Sequence, residues 1–398
     1  MKVAVLGAGA MGTGIGQVAA QNSCQVVYYD SFPGAIDRSK SSIEKIFSRL
    51  VEKGRMSDDE RASTLALMKW SKDISAIKGA DIVIEAVIEN LEVKKALYAE
   101  VEALIAEDSW LCTNTSSLSI AALSSELKHP QRFGGLHFFN PAPLMPLVEI
   151  VPGIQSNDDF ADTMEALMAS WGKVPVLAKD TPGFIVNKVA RPFYSEAIKL
   201  YEEGVASVAE IDAAVKSIGF RMGPFELTDL IGHDVNYTVT ETVWGQFFYD
   251  PRFRPSITQK RLKEAGLLGR KTGRGFYNYA SGMNAAAEAQ NEAEIDPMLG
   301  EKIVERILCL IINEALDAVW QGIASPENVD LAMTKGVNYP KGPIQWGREM
   351  GWDQVLETLN RCHKHYGDDR YRPCPLLRHL NSGNAELGEG QLTDNFMV

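Results

Sequence analysis

MKVAVLGAGAMGTGIGQVAAQNSCQVVYYD, residues 1–30, reads as strand, turn, helix and strand. Lys2–Leu6 is a short apolar strand, and Gly7-Ala-Gly-Ala-Met-Gly12 is the turn that leaves it. A helix with apolar spacing (Ile15, Val18, Ala19) follows, then a second strand over Gln25–Asp30. A lone GxGxxG says little. Here it leaves a strand, opens a helix and is followed by an acid at the end of the next strand, which is the dinucleotide-binding context. Gly7 permits the tight turn, Gly9 lets the backbone approach a pyrophosphate, and Gly12 brings helix and strand together. The helix N-terminus offers unpaired N–H groups to the phosphates. Ala10 and Met11, inside the turn, count with the glycines as cofactor-binding positions. Asp30 would bond a ribose 2′-hydroxyl and repel a 2′-phosphate, which predicts NAD rather than NADP.

The alternation continues beyond this unit. Ala35–Gly54 is predicted as a helix with a buried stripe of Ile36, Ile43, Ile46, Phe47 and Leu50. Lys45, Arg49 and Lys53 fall at i, i+4 spacing on another face. Like charges so placed slightly destabilise a helix, so they hint at an anionic ligand, although with Glu44 and Glu52 beside them a solvated face is the simpler account. Ser57 and Glu60 form a capping box that starts another helix. Asp81–Val87 is a buried strand, Glu89–Glu107 the following helix and Trp110–Thr113 the next strand. That strand ends in Asn114-Thr-Ser-Ser117, whose hydroxyls either face the ligand crevice of a doubly wound sheet or cap a helix beginning near Leu118.

RFGGLHFFNPAPLMPLVEIV, residues 132–151, holds one histidine, His137, and one carboxylate, Glu149. Apolar runs, Phe133–Phe139 and Leu147–Val151, flank a corner containing Pro141, Pro143 and Pro146 and read as buried strands. If the corner folds them back, imidazole and carboxylate meet across adjacent strands, the arrangement of a tuned general base. A core histidine bonded to a neighbour is the plain alternative. A helix over Asp159–Trp171 and a strand over Val174–Ala178 complete this half, with a boundary at Asp180-Thr-Pro-Gly183.

The second half is helical, begins with Phe184–Glu203, and repeats itself. Ser195-Glu-Ala197, Gly204, Asp212, Gly223-Pro224 and Gly232-His-Asp234 return as Asn313-Glu-Ala315, Gly322, Asp330, Gly342-Pro343 and Gly351-Trp-Asp353, offset by 118 residues and then, after one insertion, by 119. Asn187 corresponds to Glu305 and His233 to Trp352. The second copy therefore reads as a packing element without an active site, and His233 as core filling. Ser281–Glu294, rich in Ala, Glu, Gln and Asn, reads as a linker or loose helix. Arg252–Arg274 sets eight basic residues against the single acid Glu264, in a chain of net charge −12. That reversal either docks phosphates or covers acidic surface on the other domain. The prediction is an α/β, Rossmann-type doubly wound domain over residues 1–182, then two copies of an all-α helical domain, 183–281 and 299–385, joined by a linker at 282–298.

A net charge of −12 argues against nucleic acid, since phosphate backbones need a basic face. The five cysteines form no CxxC pair, so no metal or redox site is signalled. Their odd count, with Val3–Leu6 running straight into a glycine turn rather than forming a signal peptide, predicts a reducing, cytoplasmic setting. No stretch approaches the ~18 apolar residues of a membrane span, so no membrane partner is expected.

On GAGAMGTGI, the NTSS run, GLHFFNPAPLMPLVEIV, KDTPGFIVN, MGPFELTDLIG and GRKTGRGFY, the chain resembles the (S)-3-hydroxyacyl-CoA dehydrogenase family over residues 1–281, and the repeat extends the resemblance to residue 385. The duplicated helical domain is similar to the longer members, among them 3-hydroxyadipyl-CoA dehydrogenases and the dehydrogenase part of β-oxidation multienzymes. The resemblance implies NAD-dependent oxidation of acyl-CoA thioesters. It matches His137 to the catalytic histidine, Glu149 to its carboxylate partner, and Ser116 and Asn187 to polar residues around the reacting oxygen. It also matches Asp30, Glu89, Lys94, Ser116, Asn140 and Lys271 to cofactor contacts, and Lys53 with Ser116 to CoA contacts. Ile46 stands where a family serine contacts CoA. In shorter relatives two subunits pair through the helical domain, so the second copy here is expected to replace the partner, giving a monomer with an internal pseudo-dimer, or a homodimer. A CoA-independent carnitine or gulonate dehydrogenase would look more like HP-x-NP at the histidine, where this chain has His137-Phe-Phe-Asn-Pro141. A non-catalytic protein of the lens-crystallin type has no need of His137, Glu149, Ser116 and Asn187 together.

Overall fold

Short aliphatic runs, each closed by a glycine or a polar turn, build eight strands in the first half of the chain: β1 (Lys2–Leu6), β2 (Gln25–Tyr29), β3 (Met68–Ser71), β4 (Ile82–Glu85), β5 (Trp110–Thr113), β6 (Phe133–Phe138), β7 (Leu147–Pro152) and β8 (Val174–Leu177). They form one sheet in the order β3-β2-β1-β4-β5-β6-β7-β8. Every pairing is parallel except β6 with β7. Helices α1 (Ala10–Gln21), α2 (Ala35–Glu52), α3 (Asp58–Ala66), α4 (Leu91–Glu102), α5 (Ile120–Ser124) and α6 (Phe160–Ser170) connect them. The computed structural model describes residues 1–282, 284–383, 385–387 and 392–394, and the chain divides into two units, Met1–Thr181 and Pro182–Val398.

Caps explain where the first unit departs from the predicted boundaries. Helix α4 starts at Leu91 because the Asn90 side chain accepts from the Val93 N–H. Helix α5 begins at Ile120, later than Leu118, because Ser119 and Asp180 accept its first N–H groups. The Ser57–Glu60 capping box is present.

The second unit does not open with one long helix. Pro192, which has no N–H, separates α7 (Val186–Val189) from α8 (Arg191–Glu202). There follow α9 (Val208–Ser217), α10 (Pro224–Ile231), α11 (His233–Gln246), α12 (Ile257–Glu264), α13 (Ala285–Glu292), α14 (Pro297–Trp320), α15 (Pro326–Gly336), α16 (Pro343–Met350), α17 (Trp352–Tyr366) and α18 (Pro375–Ser382). The expected linker is not loose. Helix α13 is tied down by buried Gln290, whose amide donates to Asp212 and Glu226 at 3.3 Å each. None of the helices among the described residues is long and apolar enough to cross a membrane.

The internal echo has an atomic counterpart. Asp212 accepts the Phe225 and Glu226 N–H groups that open α10, and Asp330 accepts those of Ile344 and Gln345 that open α16. A Cβ on Gly223 or Gly342 would lie 2.3 or 2.0 Å from the respective aspartate Cγ, which is why glycine precedes both prolines. The ion pairs are reciprocal. Lys188 binds Glu314 at 2.8 Å, while Arg306, 118 residues after Lys188, binds Glu196, 118 residues before Glu314. Among the described residues, the basic run from Arg252 to Arg274 pairs with acids of its own unit. Arg252 pairs with Asp250, Glu314 and Asp317, Arg254 with Asp368, Arg270 with Glu226, and Lys271 with Asp234.

Candidate active site

The hairpin β6–β7 sets His137 directly opposite Glu149. The imidazole Nδ1–H donates to Glu149 Oε2 at 2.6 Å, and both residues are buried, with His137 only 5% exposed. With Nδ1 committed, Nε2 is the nitrogen left with a lone pair. The proline corner that turns the strands is clamped from behind by buried Lys173, which donates to Ala142 O and Met145 O. Burial pulls the Lys173 ammonium below its ordinary range.

Strands β1, β4, β5 and β6 are parallel, so their carboxyl ends share one edge of the sheet. At that edge Glu89 gathers the Asn114–Ser117 turn. Its Oε1 accepts from Thr115 Oγ1 at 2.6 Å and from the Ser116 and Ser117 N–H groups at 2.9 and 3.2 Å. Burial pushes the Glu89 carboxyl up, but Lys94 and the hydroxyl and amide donors outweigh it and hold it below the ordinary range. Lys94, expected at the cofactor, is 1% exposed and spent on Glu85 at 2.8 and 2.9 Å and Glu89 at 3.1 Å. Glu85 in turn accepts from Tyr98 Oη at 2.6 Å and Thr113 Oγ1 at 2.8 Å.

The glycine turn fits a dinucleotide. Gly7 has φ +96°, and a Cβ there would meet Ala86 O at 2.5 Å, whereas the space around a Gly9 Cβ is open, as close approach of a ligand requires. Asp30 accepts from Ala8 N at 2.7 Å and Phe32 N at 2.8 Å, and a carboxylate keeps further lone pairs for a ribose. One cavity of about 490 Å³ lies against Gly9, Asp30, Phe32 and Ile88. Another, of about 620 Å³, runs between α1, α2 and the proline corner, lined by Gln17, Ile46, Leu50, Asn140 and Pro143. Lys45 and Arg49 on α2 and Lys53 at its C-terminal cap are exposed and have no ion pair among the described residues.

In the second unit Asn187 lies on α7, where Arg191 Nε donates to its carbonyl at 2.8 Å. Lys271 donates to Asp234 at 2.5 Å. His233 is fully buried, its Nε2 bonded to Asp229 at 2.9 Å, as core filling requires.

The sequence model of the 3-hydroxyacyl-CoA dehydrogenase NAD binding domain matches residues 2–181, and that of the 3-hydroxyacyl-CoA dehydrogenase C-terminal domain matches 183–279 and 303–391. The chain belongs to the 3-hydroxyacyl-CoA dehydrogenase family. A 3-hydroxyadipyl-CoA dehydrogenase of Escherichia coli (strain K12) is 39% identical over 94% of this chain and 96% of its own. A probable 3-hydroxybutyryl-CoA dehydrogenase of Deinococcus radiodurans is 39% identical over 70% of this chain and 100% of its own. The solved 3-hydroxybutyryl-CoA dehydrogenase of Escherichia coli K12 superposes with a TM-score of 0.90 at 38% identity, covering 96% of this chain and 99% of that one. This dehydrogenase is thus an NAD-dependent oxidoreductase acting on 3-hydroxyacyl-CoA.

Glu85, Lys173 and Arg191 are not among the residues expected from the sequence. Glu85 closes a buried strand and had a signal, since an acid inside an apolar run needs a partner. Lys173 and Arg191 gave none, because their partners are backbone carbonyls and hydroxyls brought up by the fold.

Proposed function

We propose that the dehydrogenase interconverts (S)-3-hydroxyacyl-CoA and 3-ketoacyl-CoA, with His137 moving the proton. The observation that carries this reading is the buried imidazole whose Nδ1–H is held by Glu149 at 2.6 Å, so that Nε2 is the base. The glycine turn, Asp30 and Glu89 would hold NAD, with Asn140 and Lys271 as further contacts implied by the family. Bound NAD supplies the hydride acceptor. His137 takes the proton of the substrate 3-hydroxyl and, in the reverse direction, returns it. Glu149 fixes the tautomer and stabilises the imidazolium. Ser116, steadied by Glu89, and Asn187 donate to the oxygen where charge develops.

Lys53 with Lys45 and Arg49 provides positive charge for the CoA phosphates, and the cavity beside Ile46 and Asn140 suits the pantetheine arm. Ile46 replaces a polar CoA contact with an apolar one. The adipyl- and butyryl-CoA activities named for the relatives point to short acyl chains, in fatty-acid or phenylacetate-type degradation. Reciprocal ion pairs are the mark of an isologous interface. On that ground the two helical sets are copies of one unit and the second takes the place of a partner subunit, giving a monomer with an internal pseudo-dimer, or a homodimer. All five cysteines are free, which accords with a cytoplasmic setting.

His137→Gln keeps a polar side chain in the hairpin and removes the titratable base. NADH binding, followed by fluorescence, should be retained, while turnover of acetoacetyl-CoA should fall about 1,000-fold or more. Near-normal turnover in that variant overturns the assignment.

A further inference from the structure

Buried Lys188 and Arg252 and half-buried Arg306 of the helical unit are paired with acids. Lys188 holds Glu314 and Asp317, Arg252 holds Asp250, Glu314 and Asp317, and Arg306 holds Glu196 and Glu203. Arg191 is 5% exposed and has no carboxylate among the described residues. Its Nε donates to Asn187 O at 2.8 Å, its Nη1 to Thr240 Oγ1 at 3.0 Å, and its Nη2 reaches Asn187 Oδ1 only at 3.5 Å. A guanidinium carries more N–H donors than these contacts use. It cannot discharge itself by losing a proton, and a buried charge without a counter-charge is costly. Near it the Tyr339 hydroxyl is buried without a hydrogen-bond partner among the described residues. Arg370 is also buried without a carboxylate, but it sits on the turn Asp369–Tyr371, packed on α17 and the turn Pro251–Phe253.

Packing does not demand the cation. The equivalent position in the second helical set, 118 residues on, is Cys309, fully buried. The same pair of sets has Asn187 where the second has Glu305. The cation and the amide thus appear together, one helical turn apart, in the set assigned to the chemistry.

We propose that Arg191, with the Tyr339 hydroxyl, receives a carboxylate at the far end of the acyl chain, making the substrate class the dicarboxylic 3-hydroxyacyl-CoA thioesters. This rests on the reading that Asn187 meets the substrate 3-oxygen. The i, i+4 spacing sets Asn187 and Arg191 about 5–6 Å apart. A carboxyl carbon three C–C bonds of ~1.5 Å beyond C3 lies about 4 Å from it, within reach of a guanidinium. The planar fork matches the carboxylate, and the phenol adds one donor.

The experiment compares 3-hydroxyadipyl-CoA with 3-hydroxyhexanoyl-CoA, which carries a methyl group in place of the carboxylate, by NADH formation. The readout is the ratio of their kcat/KM values within one preparation, so misfolded protein and any effect through Asn187 cancel. Wild type should favour the adipyl substrate. Arg191→Met should lower the ratio roughly 100-fold, Arg191→Lys about 10-fold, and Tyr339→Phe about 5-fold. An unchanged ratio in Arg191→Met overturns the proposal. If that variant does not fold, unchanged ratios in Arg191→Lys and Tyr339→Phe do the same. A wild type that oxidises the hexanoyl substrate without preferring adipyl also overturns it, whereas one that oxidises neither overturns the function on which it rests.

Discussion

The two helical sets keep the same framework and differ where chemistry is assigned. Asp212 and Asp330 cap equivalent helices, and Lys188 and Arg306 make mirrored ion pairs. By contrast Asn187 and Arg191 become Glu305 and Cys309. Shared residues satisfy needs that any copy of this unit has, namely capped helix ends and neutralised buried charge. Asn187 and Arg191, on the proposals above, answer to a substrate that the second set does not meet. The comparison therefore sorts structural from functional polar residues inside one chain.

The largest effect should come from the shared ion pairs. Arg306→Met leaves buried Glu196 without a cation and should cost about 3–5 kcal/mol, and Lys188→Met, which leaves Glu314 and Asp317 to Arg252, should cost less. Urea unfolding would show it as a lowered midpoint with an unchanged slope. If only one of the two variants is destabilised, the mirror relation is geometric and not energetic.

A second test uses pH. Burial, the largest cause, pushes the Asp212 carboxyl up to about 7, and Asp330 is raised by burial as well. The same group in an unfolded chain titrates near ~4. The folded state therefore holds the proton more tightly. The stability this contributes is full below about pH 4 and is lost as pH rises through about 7, with a slope on the order of 1 kcal/mol per pH unit at its steepest. Asp212→Asn should flatten that slope, and Asp330→Asn should flatten it less. A slope that survives Asp212→Asn assigns the titration elsewhere.

Next in size is the functional contrast. Asn187→Ala should lower kcat about 100-fold, or ~2.7 kcal/mol, by removing a donor to the developing oxyanion. Glu305→Ala, at the equivalent position, should leave kcat within about twofold. Equal losses would dissolve the distinction between the copies.

Much of this framework is legible from the chain because its causes are local. The glycine turn, the strands and the His137–Glu149 hairpin follow from periodicity and turn chemistry, and the repeat from simple spacing. What was not legible depends on residues far apart in sequence. Nothing near Lys188 indicates Glu314, 126 residues away, and nothing near Lys94 says that Glu85 and Glu89 will enclose it. The basic run Arg252–Arg274 leaves two readings open, phosphate docking or cover for acidic surface, because its acids, from Glu226 to Asp368, are scattered. Pro192 splits the expected helix Phe184–Glu203 in spite of its apolar pattern.

The smallest contrast is also the sharpest in form. Ser207 caps α9 and Ser325 caps α15, and both serines accept from the N–H three residues on. Only the first is a complete capping box, because Glu210 returns a bond to the Ser207 N–H at 2.7 Å, whereas the second set has Asn328 in that place. Each Ser→Ala change should cost about 1 kcal/mol. Glu210→Ala should cost a further few tenths of a kcal/mol that Asn328→Ala does not, since only Glu210 satisfies a second orphan donor. Thermal unfolding of the four variants measures this. Equal losses at Glu210 and Asn328 would mean that the cap is worth only its serine, and that the acid in the first copy is there for solvent.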